Sequence, residues 1–141
     1  MNNIDAYDVT LRDGTQGEGV SFSVEDKIRV ALKIDEPGIK YIEGGWPGSN
    51  DRDEAFFKKI KNERLINSKL TAFGSTRRAN NNCDNDANVQ SLLKAETNVI
   101  TIVGKTWDFH VKKALKISNE ENLELISDTI ESVSYTHLTL P

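Results

Sequence analysis

A short apolar segment near the amino terminus runs directly into an arginine and an aspartate. Residues 6–11 read AYDVTL, and Arg12, Asp13 and Gly14 follow. An aspartate just past a strand can offer a hard oxygen ligand to a divalent cation, and the adjacent guanidinium can stabilise a developing enolate. Gly14 permits the sharp turn that exposes both side chains. Taken alone, an Arg–Asp pair at a turn is more often a surface ion pair, which contributes about 0–1 kcal/mol.

The elements that must position this pair alternate regularly along the chain. Short β-branched segments predict four strands, and amphipathic segments predict the helices between them. The predicted strands are 6–11, 39–43, 69–73 and 98–103; the predicted helices are 49–61, 86–94, 107–116 and 120–131, with one more between Ser23 and Pro37. Four βα units spaced by ~30 residues predict an α/β fold with a parallel sheet and helical crossovers. The glycine-containing loops after the strands then share the sheet edge where sites are built.

Two local signals refine this prediction. Ser23 and Asp26 have the spacing of a capping box, with Asp in place of Glu, and Gly38 is a predicted C-cap just after Pro37. A doubly wound sheet is the alternative to a barrel. However, no G-x-G-x-x-G follows the first strand, so the sequence does not indicate a dinucleotide site.

Composition excludes several classes of protein. Hydrophobic residues make up 37% and charged residues 28% of the 141 residues, which is typical of a soluble globular domain. The net charge is −4 and no Lys/Arg stripe is present, so we expect no nucleic-acid partner. We expect no membrane association either, because no apolar run approaches the ~20 residues of a membrane helix. With a single cysteine, Cys83, and no secretory signal, we predict a cytoplasmic location.

The last ten residues differ from the rest of the chain. Residues 132–141 read SVSYTHLTLP, contain no charged residue and break the preceding amphipathic pattern. This string resembles a translated adapter from a sequencing library, so we interpret residues 1–131 as the native domain and residues 132–141 as a non-native tail. His137 would then have no functional meaning. The alternative is a natural fifth strand, since Val, Tyr and Thr suit strands.

Four segments carry a resemblance to a known family. DVTLRDGTQ, at the first strand, resembles the superfamily of 2-isopropylmalate, homocitrate and citramalate synthases, which shares this opening with hydroxymethylglutaryl-CoA lyases. YIEGGWPGSN, LTAFGSTRRANN and GKTWDFHVKKAL, at the next three strands, are similar to citramalate synthases of the long bacterial and archaeal type. The resemblance covers residues 5–131. It implies a TIM (β/α)8 barrel, of which this chain would be the truncated first half.

The resemblance also implies roles for individual residues. Asp13 matches an aspartate that binds a catalytic divalent metal (Mg, Mn or Zn), and Arg12 matches an arginine that contacts the keto acid and stabilises the enolate. Gln16, in the same loop, is a predicted substrate-binding residue that orders the loop or a metal-bound water. Glu43 has either a catalytic role or that of a buried partner that orients Arg12. His110, on the helix after the fourth strand, matches a family histidine and is a candidate substrate-binding residue, although a packing or hydrogen-bonding role is favoured.

Other candidates are weaker. Arg77 and Arg78 could reach an anionic substrate, but solvated arginines are the better interpretation. For Trp46 and Trp107 we favour packing in the core or at a rim. Cys83 lies in a predicted solvated turn without a nearby base, so a nucleophilic role is not expected.

The implied reaction is the condensation of acetyl-CoA with pyruvate to (R)-citramalate and CoA, in isoleucine biosynthesis. The alternatives are a 2-isopropylmalate or homocitrate synthase, a carbon–carbon lyase of the hydroxymethylglutaryl-CoA type, and an inactive fragment. Family members carry a His-x-His metal pair, which this sequence lacks, and a TIM barrel typically needs ~250 residues. The resemblance implies that the full-length protein is a homodimer with a metal. Because this chain lacks the His-x-His pair and about half of a barrel, we expect the chain alone to be inactive.

Overall fold

The structure is a four-stranded parallel sheet covered by helices. The computed structural model describes the backbone of residues 4–137 and the side chains of residues 4–134. The strands are β1 (Tyr7–Asp8), β2 (Tyr41–Gly45), β3 (Lys69–Ser75) and β4 (Val99–Val103), and they lie side by side in chain order. The helices are α1 (Val24–Asp35), α2 (Asp51–Ile60), α3 (Ala87–Lys94), α4 (Asp108–His110) and α5 (Asn119–His137), with 3-10 turns at Gly14–Gln16 and Cys83–Asn85. The predicted alternation of strands and helices is confirmed.

The first strand is shorter than predicted. It ends at Asp8 rather than at residue 11, because the backbone turns at once toward the site. The amides of Arg12, Asp13 and Gly14 all donate to the carbonyl of Val9, at 3.2, 2.9 and 3.1 Å. This turn takes the backbone of residues 9–14 out of the sheet.

The carboxyl-terminal helices also differ from the prediction. The predicted helix 107–116 is one turn of α4 followed by a π-helical turn, Val111–Leu115, that ends at Lys116 in the left-handed region (φ 59°). The last helix extends to His137 rather than ending at residue 131, so the alternative of a strand is wrong for residues 132–137. Residues 138–141 of the predicted tail lie outside the described residues, and the non-native origin of residues 132–141 stays a prediction.

The start of α1 follows the capping signal in the sequence. The Ser23 hydroxyl accepts from the Asp26 amide, and the Asp26 carboxylate accepts from the Ser23 amide, both at 3.1 Å. Both arms of the predicted capping box are therefore confirmed, with Asp as the acidic member. After the helix, Gly38 adopts φ +85°, a conformation that favours glycine.

The two faces of the sheet have different roles, because successive strand residues point to opposite sides. One face packs on the helices and forms the core; its buried members, with those of the helices and of the turn after β1, are Leu11, Ala31, Ile42, Phe56, Phe57, Ile60, Ala72, Leu92 and Ala95. Gly44 allows this packing, since a Cβ there would lie 2.5 Å from a Phe56 ring carbon. The other face carries polar and aromatic side chains and forms the candidate site. No helix among residues 4–137 is long and apolar enough to cross a membrane.

Candidate active site

Arg12 is held on three sides at the turn after β1. Its Nε donates to a carboxylate oxygen of Glu43 at 2.5 Å, and its Nη1 donates to Asp13 at 2.9 Å. The guanidinium carbon lies 4.2 Å from the ring centroid of Phe73, on β3. A planar cation that is bonded at its edge and stacked on its face keeps one orientation. The structure thus brings Arg12, Asp13 and Glu43 into contact, and their catalytic, metal-binding and substrate-binding roles stay predictions.

Glu43 lies in the middle of β2 and is only 2% exposed. A buried carboxylate is costly unless both oxygens have partners. Here Oε1 accepts from Arg12 and Oε2 accepts from the hydroxyl of Tyr7 at 2.6 Å. With both oxygens occupied by protein groups, the geometry favours the orienting role of Glu43 over direct chemistry.

Tyr7 is a member of this cluster that the sequence analysis missed. Its phenol lies 2.6 Å from Glu43 Oε2 and 2.6 Å from the hydroxyl of Thr101, on β4. Tyr7 is 40% exposed, and its partial burial, followed by the hydrogen bond to Glu43, raises the pKa of Tyr7 to about 12. The strand register could have revealed it, because Tyr7 pairs with Tyr41, two residues before Glu43 and on the same face. The pairing of Tyr7 with Tyr41 cannot be deduced from the sequence alone, because it depends on the residue at which each strand begins.

Asp13 and Gln16 are exposed residues of the turn. The Asp13 side chain is 60% exposed and contacts Arg12, while the backbone N–H of Gln16 donates to the backbone carbonyl of Asp13 at 3.0 Å. Among the described residues no group of three His, Cys, Asp or Glu side chains lies close enough together to hold a metal ion. Asp13 can supply one carboxylate, but this part of the chain does not by itself form a metal site.

His110 lies apart from the Arg12 cluster in its contacts. It is exposed on α4, where its ring contacts those of Trp107 and Phe109 at centroid distances of 4.6 and 6.3 Å. Trp107 is itself 56% exposed, so it lies at the surface and not in the core. No hydrogen bond or ion pair of residues 4–134 joins His110 to Arg12. Its predicted contact with substrate stays a prediction.

Trp46 belongs to the wall beside Arg12. Its ring packs edge-on against Phe73 at a centroid distance of 5.5 Å, and its indole N–H donates to Asn88 at 2.6 Å. The loops after β2, β3 and β4 enclose a cavity of about 300 Å³; its lining includes Trp46, Ser75, Thr76, Arg77, Val103 and Lys105. The carboxyl ends of these strands therefore form a concave surface next to the Phe73–Arg12 stack.

A buried ion pair between α1 and α2 fixes the position of the loop that contains Trp46. Lys27 of α1 is fully buried and donates to Asp53 of α2 at 2.6 Å. The other oxygen of Asp53 accepts from the backbone amide of Trp46 at 2.9 Å. Burial lowers the pKa of Lys27, although Asp53 opposes that shift. No sequence pattern indicates the burial of Lys27, because a lysine within an amphipathic helix is usually solvated.

The remaining candidates have structural contacts. The solvated interpretation of Arg77 is wrong: its side chain is 12% exposed and pairs with Asp128 of α5, which ties the loop after β3 to that helix. Arg78 is exposed, as predicted. Cys83 is half-buried and donates to the Asp128 carbonyl at 3.4 Å. Burial raises the pKa of this thiol, which makes it a poor nucleophile.

Comparison with known proteins identifies the family. The HMGL-like family model matches residues 3–139. The chain belongs to the HMGL-like family. The chain is 63% identical over 131 residues to an (R)-citramalate synthase of Geobacter sulfurreducens, and this match covers 93% of the chain but only 25% of the relative. It is 36% identical over 130 residues to the homocitrate synthase AksA of Methanothermobacter thermautotrophicus, with 92% and 31% covered.

Solved structures agree on the fold. A crystal structure of hydroxymethylglutaryl-CoA lyase from Pseudomonas aeruginosa superposes with a TM-score of 0.72 at 17% identity, covering 96% of this chain and 43% of that chain. The four parallel strands and their helices therefore match the start of a TIM barrel, as predicted. The chain spans about a quarter of the length of the citramalate synthase that it matches.

Proposed function

We propose that this chain is the amino-terminal part of an (R)-citramalate synthase, which condenses acetyl-CoA with pyruvate and releases CoA. The observation that carries the proposal is the 63% identity to the Geobacter sulfurreducens protein of that name. The held arginine supports it, since an oriented guanidinium suits a keto acid with a carboxylate. The product would enter isoleucine biosynthesis, and the full-length protein would be a cytoplasmic homodimer.

In the proposed reaction, Arg12 binds and orients the keto acid. Within the described residues, its hydrogen bonds use Nε and Nη1, which leaves Nη2 for an oxygen of pyruvate. A base from the rest of the full-length protein takes a proton from the methyl group of acetyl-CoA, and that carbon forms a bond to the keto carbon. The π electrons of the keto group pass to its oxygen, which is then protonated, and water hydrolyses the thioester to a carboxylate and the CoA thiol. Arg12 would stabilise the negative charge that develops on oxygen, while Glu43 keeps the guanidinium in place.

The proposed cofactor is a divalent metal, held in the full-length protein. A bound Mg, Mn or Zn ion would supply charge stabilisation at the keto oxygen, and Asp13 would be one of its ligands. No group of three His, Cys, Asp or Glu side chains among the described residues could hold a metal ion, so we assign the remaining ligands to the rest of the full-length barrel. For the same reason, we propose that the 141-residue chain alone is inactive.

The full-length gene product tests this function. With pyruvate, acetyl-CoA and Mg²⁺ or Mn²⁺, it should release CoA thiol and form citramalate, while the isolated chain should release none. Arg12→Gln should lower kcat/KM by at least about 100-fold, whereas Arg29→Gln, at a helix position with a 79% exposed side chain, should not. CoA release with 2-oxoglutarate or 2-oxoisovalerate in place of pyruvate would instead identify a homocitrate or 2-isopropylmalate synthase. Cleavage of hydroxymethylglutaryl-CoA would identify a lyase.

A further inference from the structure

We propose that Tyr7 is a positioning residue for the Arg12–Glu43 pair. Its phenol fixes the Glu43 carboxylate against the guanidinium and connects it to β4 through Thr101. The inference rests on the proposed function only in assigning substrate contact to Arg12. The hydrogen-bonded chain itself belongs to these 141 residues.

The geometry of Glu43 explains why a second partner matters. The terminal torsion of a glutamate is broad, so a carboxylate held through one oxygen can rotate. Arg12 takes Oε1 and Tyr7 takes Oε2, and together they fix the plane of the carboxylate. The Nε–H of Arg12 then has an acceptor in a fixed position. This fixes the edge of the guanidinium, while its face stacks on Phe73.

The direction of each hydrogen bond follows from the chemistry of the groups. Tyr7 has one hydroxyl proton, and an ionised Glu43 can only accept. The phenol therefore donates to Glu43, and the Thr101 hydroxyl, 2.6 Å from the phenol oxygen, must donate to Tyr7. The result is a directional chain from β4 through β1 to β2, which spans 94 positions in sequence between Tyr7 and Thr101.

The hydrogen-bonded chain from Thr101 to Glu43 lies where the described sheet has its shortest strand pairing. β1 pairs with β2 through only two residues, Tyr7 and Asp8, and Arg12 follows four residues later. The side-chain connection from Tyr7 to Thr101 adds a tie to β4, a strand with which β1 has no backbone pairing among the described residues. Tyr7, two residues before the turn, is thereby connected to the Glu43 carboxylate that accepts from Arg12.

Because charged groups lie beside Tyr7, the hydrogen-bonded chain should be detectable in the ionisation of its phenol. Glu43 and Arg12 are the charged groups of the cluster that faces the phenol, and Thr101 and Thr71 are its neutral neighbours. Ionisation of Tyr7 would place a second negative charge beside Glu43 and remove the donated hydrogen bond. If the hydrogen bonds from Thr101 through Tyr7 to Glu43 are intact, Tyr7 should therefore stay protonated at a pH where ordinary phenols are ionised.

The first test is a titration of phenolate absorbance on this chain, at pH values where far-ultraviolet circular dichroism shows a native fold. At pH 11 an ordinary phenol is about nine-tenths ionised, whereas Tyr7 should still be protonated. Tyr7→Phe should remove the late-titrating group, and Tyr41→Phe should leave it. Glu43→Gln should lower the late pKa toward 10, whereas Thr101→Val should raise it. A late group that survives Tyr7→Phe, or that neither Glu43→Gln nor Thr101→Val shifts, overturns the proposal.

The second test uses the full-length enzyme. Tyr7→Phe should raise KM for the keto acid about tenfold and leave KM for acetyl-CoA unchanged, because only the orientation of Arg12 changes; Tyr41→Phe should leave both unchanged. If the parent enzyme is active and Tyr7→Phe has the same KM for the keto acid, the positioning role is overturned and the proposed function stands. If the titration behaves as expected but the parent enzyme makes no citramalate, the proposed function fails and the Tyr7–Glu43 connection stands.

Discussion

Two threonine hydroxyls on the site face have opposite surroundings, and this difference predicts opposite effects on stability. Thr71 is fully buried, and its hydroxyl makes no hydrogen bond of normal geometry among residues 4–134, although it lies close enough to the Tyr7 phenol to lower the pKa of that group. Thr101, on the neighbouring strand, bonds to the phenol of Tyr7. An unsatisfied buried polar group costs about 1–3 kcal/mol, whereas a satisfied one contributes. Thr71→Val should therefore raise the free energy of unfolding by about 1 kcal/mol, and Thr101→Val should lower it by about the same amount.

Urea denaturation of both variants at neutral pH measures the change in the free energy of unfolding for each substitution. The two substitutions are chemically identical and occupy the same face of adjacent strands, so each serves as the control for the other. A loss of stability in Thr71→Val would mean that its hydroxyl has a partner after all.

The residues of the site were predictable from sequence to different degrees. Arg12, Asp13 and Glu43 lie in recognisable sequence motifs, and the structure brings them together. Tyr7 and Lys27 were missed for physical reasons. The role of Tyr7 depends on the register between β1 and β2, and the burial of Lys27 depends on how α1 packs on α2. Both are tertiary properties that no local pattern records.

At the scale of elements, one aspartate connects the end of α1 to the segment that enters β3. Asp35 is 5% exposed and accepts from the backbone amides of Ile66, Asn67 and Ser68 at 2.8, 2.8 and 2.6 Å. Burial alone would raise the pKa of Asp35, but the three amide donors outweigh it and lower the pKa below its usual 3.8. The ionised carboxylate thus stabilises the folded state.

The sign of this shift predicts a pH dependence. A group whose pKa is lower in the folded state contributes stability above the pKa of the unfolded chain, and this stability is lost as pH falls through the folded value. Asp35→Asn should lower the free energy of unfolding at pH 7 by about 2 kcal/mol, because one amide then faces an NH₂ group. The difference from the parent should shrink below about pH 4. Denaturation at pH 7, 4 and 3 measures it, with exposed Asp84→Asn as the control; a constant difference at all three values would contradict the argument.

The boundaries of the elements show where local signals lose to tertiary ones. The start of α1 followed its capping box because that signal is local and complete at Ser23 and Asp26. The end of β1 did not follow its β-branched sequence, because three amides compete for the carbonyl of Val9. The π-helical turn Val111–Leu115 has no sequence signal that distinguishes it from an α-helix. Local chemistry therefore predicted the order of the elements better than their ends.

At the scale of the molecule, the sheet has two strand edges. The described strands lie in the order β1 to β4, so the outer sides of β1 and β4 have no strand partner among residues 4–137. In an eight-stranded barrel each strand has two neighbours, and this chain covers 43% of a lyase chain with the matching fold. Exposed edges are templates for pairing with another chain. The isolated chain should therefore self-associate as its concentration rises.

A charge on the β4 edge should weaken that association. β4 reads VITIV, carries no charge and is the longer of the two edge strands, and Val103 at its carboxyl end is 41% exposed. A lysine there would have to lose its hydration if a second strand approached, which is how natural edge strands resist pairing. Val103→Lys should reduce the weight-average mass measured by light scattering at high concentration. Val20→Lys is the matched control, because Val20 is also 41% exposed but lies outside the sheet. An equal reduction in both variants would assign the effect to net charge, and a parent chain that stays monomeric at every concentration would show that the edges are protected without a partner strand.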